Sequence, residues 1–140
     1  MLDAFAVVAL LRGEPAAEEV RSLLPEAVLT STGLAEVVDQ LVRVHGQDAD
    51  EVVLDLAELG LLDAMPVDPS DGVAVGLLRA AHYHRARRAV SLADCVVAQA
   101  ARRLGAAVAT ADPHLLDLCH EEGIEVIALP SSSGSRWRPA

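Results

Sequence analysis

Lysine is absent from this chain: all eleven basic residues are arginine, in 140 residues carrying a net charge of −10. That acidic balance excludes a protein that holds nucleic acid by bulk electrostatics. The missing lysine reads first as the codon bias of a GC-rich genome. It also excludes a phosphoacceptor receiver domain, which shares an acidic Mg²⁺ site but needs a lysine on a late strand. Aromatics are scarce, with one Phe, one Tyr and one Trp, so a core must come from Ala, Val and Leu. No apolar run approaches the roughly 18 residues of a membrane-spanning helix. The start MLDAF lacks the basic region of a signal peptide, so a cytoplasmic location without a membrane is expected. The two cysteines, Cys95 and Cys119, match no CxxC pattern and fall on apolar helix positions, the pattern of buried free thiols.

What is present is an alternation of short apolar runs with helical periodicity, the mark of an α/β domain with a parallel sheet. The clearest unit covers residues 91–113, SLADCVVAQAARRLGAAVATADP. Ser91 fits an N-cap, and Leu92, Val96, Val97, Ala100 and Leu104 recur at helical spacing. Gly105 fits a left-handed C-cap, and residues 106–109 a buried strand ending at Thr110-Ala111-Asp112-Pro113. Earlier, residues 1–3 offer a strand stub, 6–12 and 16–24 short helices, and 27–30 a second strand. Ser31 or Thr32 then caps a helix striped by Leu34, Val37, Val38, Leu41 and Val44. Residues 48–59 form another helix, 62–67 a short strand or extended connection, and 70–87 a long helix. After Pro113 come a helix to about residue 122 and a last strand over 125–129. Residues 130–140, PSSSGSRWRPA, read as a disordered tail.

In parallel α/β sheets the strands end, and the following helices begin, at the edge where sites form. Asp3, Asp94 and Asp112 fall at that edge, and Glu36 lies in the first turns of the helix after the second strand. Clustered carboxylates repel unless a cation neutralises them, and a hard divalent ion such as Mg²⁺ suits oxygen ligands. Hydrolysis of a phosphodiester is the matching chemistry. Each acid also has an ordinary reading. Ser91-x-x-Asp94 is a capping box, Asp112-Pro113 an N-cap followed by Pro, and Asp3 a chain-start acid. Glu36 points away from the apolar stripe of its helix and reads as a surface residue.

The motifs Leu2-Asp3-Ala4, Leu34-Ala35-Glu36-Val37, Ser91-Leu92-Ala93-Asp94 and Thr110-Ala111-Asp112, in this order and spacing, resemble those of PIN-domain toxins of VapBC toxin–antitoxin systems. The resemblance covers residues 1–129 and implies a three-layer fold, a central parallel sheet of four to five strands flanked by helices. It implies a metal-dependent endoribonuclease in which Asp3, Glu36, Asp94 and Asp112 are catalytic and hold Mg²⁺ or Mn²⁺, with Thr110 supporting the site. It further implies an RNA substrate, a homodimer and a cognate VapB-like antitoxin that blocks the site. Three departures stand out. Phe5 occupies a position where such toxins carry Ser or Thr, and Gly33 one where they often carry Asn. The first strand is also two or three residues shorter than the resemblance implies, which suggests a start codon placed too late.

The remaining chemistry is weaker. His82 and His84 point about 200° apart on a helix and cannot readily share an ion; all five histidines read as surface or capping residues. Arg85, Arg87 and Arg88 form either a solvated helix terminus or a grip for RNA phosphates, and sequence does not separate the two. Trp137 between Arg136 and Arg138 has the shape to stack on a base, yet the tail's composition argues for disorder. A PIN nuclease of RNA processing without an antitoxin, and a catalytically silent partner-binding domain, remain the rival functions.

Overall fold

In extended backbone, successive side chains point to opposite faces, and here that alternation separates two cores. Leu2, Leu29, Ala109 and Leu129 are buried in one apolar cluster. Met1 and Val108 are buried in a second, against which Val28 and Val126 pack. The computed structural model describes residues 1–139. Strands β1 (Val108–Thr110) and β2 (Val126–Ala128) pair in parallel, with Val108 opposite Val126 and Thr110 opposite Ala128. Leu2 forms a parallel bridge with Ala109, and Thr30 another with Met65. The Leu2 N–H donates to the Val28 carbonyl at 2.8 Å, joining the two pairs. Five extended segments therefore lie side by side, in the order Met65, residues 28–30, Leu2, β1, β2.

The expected sheet of four to five strands is thus present as a hydrogen-bonded order, while among the described residues only β1 and β2 run as regular strands. The reason is local. Asp3 and Thr30 cap helices that begin on the very next residue, so their segments end almost as soon as they pair.

Helices α1 (Ala4–Leu11), α2 (Ala17–Leu23), α3 (Ser31–Asp39) and α4 (Ala49–Glu58) bury their apolar faces in the first cluster. Helices α5 (Pro69–His82), α6 (Leu92–Leu104) and α7 (Pro113–Glu121) bury theirs in the second. The result is a three-layer α/β fold. Cys95 and Cys119 are buried free thiols, as expected, and burial pushes them up to about 11 and about 12. Among the described residues no helix is long and apolar enough to cross a membrane.

Several expectations shift. The cap of α3 is Thr30, whose Oγ1 accepts the Gly33 N–H at 3.0 Å, and not Ser31 or Thr32. Helix α5 stops at His82, five residues short of the expected end. There His84 Nδ1 accepts the backbone N–H groups of Ala86 and Arg87, and His84 bridges Arg88 across a tight turn. A side chain that captures backbone donors in this way competes with helix continuation. Arg85, Arg87 and Arg88 therefore sit in a turn and not at a helix terminus. His82 is no surface residue either: its side chain is 15% exposed and lies between Glu121 and Glu122.

The tail departs most from its expected disorder. The Ser131 N–H donates to the Ser135 carbonyl at 2.7 Å, and Pro130 bridges Arg136. Arg136 then pairs with Glu19, and Trp137 Nε1 donates to Asp117 Oδ1 at 2.8 Å. Its polar composition hid one anchoring ion pair and one indole donor that needs a partner. Ala140 lies outside the described residues.

Candidate functional site

Thr110 is the hinge of the site. At the end of β1 it is fully buried, and its hydroxyl donates to Asp3 Oδ2 at 2.8 Å. Thr110 Oγ1 in turn accepts the Asp112 N–H at 3.0 Å. One side chain thus ties the carboxylate after the first segment to the backbone of the acid after β1. Asp3 Oδ1 accepts the Ala4 N–H at 2.8 Å, which caps α1. Phe5 carries no hydroxyl, and the side-chain hydrogen bond to Asp3 comes from Thr110. Asp112 caps α7, its Oδ1 accepting the N–H groups of His114 and Leu115 at 2.7 and 3.3 Å.

Asp94 stands in the first turn of α6 and closes a capping box with Ser91. The Ser91 N–H donates to Asp94 Oδ2 at 2.6 Å, and the Asp94 N–H to Ser91 Oγ at 3.0 Å. The ordinary reading of Asp94 is therefore real, and it occupies one carboxylate oxygen. It does not compete with the other reading, because Asp94 also lines a cavity of about 530 Å³ together with Asp3, Glu36 and Asp112. Glu36, which helical periodicity assigned to the surface, is half-buried and faces this cavity. Gly33, one turn earlier, leaves room that a side chain would fill. A Cβ there would lie 3.0 Å from Leu29 Cδ1 and 3.1 Å from Thr30 Oγ1, pressing on the cap of α3.

The electrostatics follow from this crowding. Burial pushes Asp3 up from 3.8 to about 7; the Thr110 hydroxyl opposes the shift, and the charges of Asp94 and Glu36 add to it. Glu36 is raised by burial and then by Asp94 and Asp112, against a hydrogen bond from Gln40. Asp94 is raised by burial, lowered by its bonds to Ser91, and raised again by Asp112. These are carboxylates short of a counter-charge. No basic side chain lines the cavity; its remaining polar groups are Gln40 and three serines, Ser131, Ser132 and Ser133.

Among the described residues no three His, Cys, Asp or Glu side chains converge closely enough to chelate an ion. Each Asp spends an oxygen on a backbone N–H. The donor set nevertheless fits a hard divalent cation: four carboxylates, no cationic rival, and an ion class that commonly uses one or two carboxylates plus water.

Sequence reasoning located all four acids and Thr110, and the structure brings them to one edge of the sheet. It missed Gln40 and the serine wall, for which the only signal was the Arg136–Trp137 pair that anchors the tail. Of the arginines named for RNA, none lines the cavity. Arg88 is committed elsewhere, donating to Glu121 at 2.7 Å, while Arg85 and Arg87 are exposed.

Over residues 1–121 the sequence matches the PIN domain family, and the chain belongs to it. PIN domains are a nuclease family and generally use divalent metals. No curated protein matches the chain.

Proposed function

We propose that this PIN domain is a Mg²⁺- or Mn²⁺-dependent endoribonuclease acting as the toxin of a toxin–antitoxin pair. The observation that carries the reading is the meeting of Asp3, Glu36, Asp94 and Asp112 in one cavity, three of them raised by burial and mutual repulsion. One or two of Asp3, Glu36, Asp94 and Asp112 would hold the ion directly and the others through its waters. A divalent ion bound there supplies a water of lowered pKa and stabilises charge developing on the phosphate. Thr110 keeps Asp3 and Asp112 in register, and Ser91 fixes the rotamer of Asp94. Glu36, whose carboxyl is held above its ordinary range by burial and by Asp94 and Asp112, is placed in the same cavity to accept a proton from an attacking water.

Purified protein should cut single-stranded or loop RNA with Mg²⁺ or Mn²⁺ and stop when EDTA is added. Activity unchanged by chelation would refute the carboxylate–metal mechanism. Inactivity at every metal concentration, with all four acids intact, would favour a catalytically silent partner-binding domain.

The toxin role rests on the motif resemblance. An antitoxin would present a basic side chain, an arginine by its fit to carboxylates, to a cavity that has no cation of its own. A complex in which the acids stay uncovered would instead favour a nuclease of RNA processing. A homodimer is part of the same reading, and sedimentation at micromolar concentration checks it.

A further inference from the structure

The cavity that holds the acids has a second wall, supplied by the tail. Ser131, Ser132 and Ser133 line it together with the four carboxylates. This wall is built and fastened. The Gly134 N–H donates to the Ser131 carbonyl at 2.8 Å, with Gly134 at φ 84, a left-handed conformation that favours glycine. Arg136 pairs with Glu19 on α2 and donates to the Ala128 carbonyl at 2.9 Å. Trp137 is tied to Asp117 on α7, and Ser132 Oγ donates to Glu14 at 2.8 Å. The turn is held at both ends and at its tip.

Its position matters because of what the rest of the cavity lacks. Every charged group in the lining is a carboxylate, and the side-chain hydrogen-bond donors are Gln40 and these serines. A cation can neutralise a phosphodiester, but the non-bridging oxygens left over still need donors. Serine hydroxyls are ordinary partners of nucleic-acid phosphates. Arginine in the same place would pair with the acids. With Ser132 committed to Glu14, the remaining hydroxyls are those of Ser131 and Ser133, which hydrogen-bond each other at 2.9 Å and Ser135 at 2.8 and 3.2 Å, exposed bonds that each hydroxyl would exchange for a phosphate oxygen.

We propose that the fastened Ser131–Ser133 turn positions substrate, donating hydrogen bonds to the phosphate backbone of an RNA strand lying against the four acids. The inference rests on the reading of the substrate as RNA. Both serines are positioning residues: they hold the strand and take no part in bond breaking.

The test uses the full chain. Binding of a fluorescent single-stranded RNA oligonucleotide is measured with Ca²⁺ in place of Mg²⁺, and cleavage is measured with Mg²⁺. Ser131→Ala/Ser133→Ala should raise Kd and KM about ten-fold, the size expected for lost phosphate hydrogen bonds, with kcat and melting temperature unchanged. Arg136→Glu should do the same by releasing the turn. Glu19→Arg combined with Arg136→Glu re-forms the pair with charges exchanged and should recover part of the loss, the hydrogen bond to the Ala128 carbonyl staying absent. Unchanged Kd and KM in the serine variant overturn the inference while leaving the nuclease reading in place. Faster cleavage on releasing the turn also overturns it, since the segment would then be a cover. RNA binding that depends on the serines, with no cleavage by the wild type, sustains the inference and refutes the nuclease. No binding and no cleavage refutes both.

Discussion

The two edges of the sheet carry cavities of nearly equal size, about 530 Å³ at one and about 510 Å³ at the other. The first holds Asp3, Glu36, Asp94 and Asp112. The second is walled by Met1, Leu2, Ala106, Ala107, Ala109 and Ile127, with Glu26 as its one acid. Concavity therefore does not distinguish them; chain direction does. At the first edge, extended segments end and helices begin, so each N-cap position invites an Asp that can accept backbone N–H groups. Caps required for folding and ligands required for chemistry draw on the same residue type at the same place. At the second edge the chain runs from α6 into β1 through Gly105-Ala106-Ala107, which has no carboxylate to offer.

The largest expected break in this asymmetry is Asp94→Asn. Cleavage should fall by more than about 100-fold, beyond the 10–100-fold typical of groups that only support a ligand. Asn retains an acceptor for the Ser91 N–H and removes a buried, repelled charge, so stability without metal should hold or rise slightly. Mg²⁺ should raise the melting temperature of the wild type and not of the variant. Intact cleavage with a loss of about 1 kcal/mol would mean that the capping role is the whole role.

A second prediction concerns pH. Asp3 titrates near 3.8 unfolded and is pushed by burial to about 7 in the fold. Between these values the folded state holds a proton that the unfolded state has released. This group's contribution therefore becomes less favourable as pH rises through that window, and the full penalty is present above about 7. Compared with Asp3→Asn, metal-free wild type should lose ground as pH rises from about 4 to about 8, by an amount on the order of 4 kcal/mol at most. A stability difference that stays flat with pH would contradict the buried, unneutralised carboxyl.

Thr110→Val should act through structure first. It strands a buried carboxylate oxygen and the Asp112 N–H, a loss of about 1–3 kcal/mol, readable by urea unfolding. Cleavage should fall with it, because Asp3 and Asp112 lose their common tie. The smallest effect sharpens the comparison from the other side. Glu26→Gln, the acid of the opposite cavity, should change stability by less than about 0.5 kcal/mol and leave cleavage unchanged.

Much of this was legible along the chain because its signals are local. The capping box of Ser91 and Asp94, the left-handed Gly105 and the Asp112-Pro113 helix start each depend on a few adjacent residues, and each appears where the pattern put it. The four acids were legible for the same reason, as residues just past predicted strands or in the first turns of predicted helices. Glu36 was not separable from the surface by periodicity, because Asp3, Asp94 and Asp112, with which it lines the cavity, lie outside its own helix. Helix α5 was over-extended because the backbone donors captured by His84 leave no trace in hydrophobic spacing.

By itself, the sequence determined the alternation of segments and the placing of the acids just past strands or in first helical turns. Tertiary structure decided which carboxylates share a cavity, which of them lack a counter-charge, and that Thr110 ties two of them together. It also decided the fate of the tail. Fixing a polar segment costs conformational entropy that its own residues cannot offset. Here Glu19 and Asp117, more than a hundred and about twenty residues away in the chain, offset it by receiving Arg136 and Trp137.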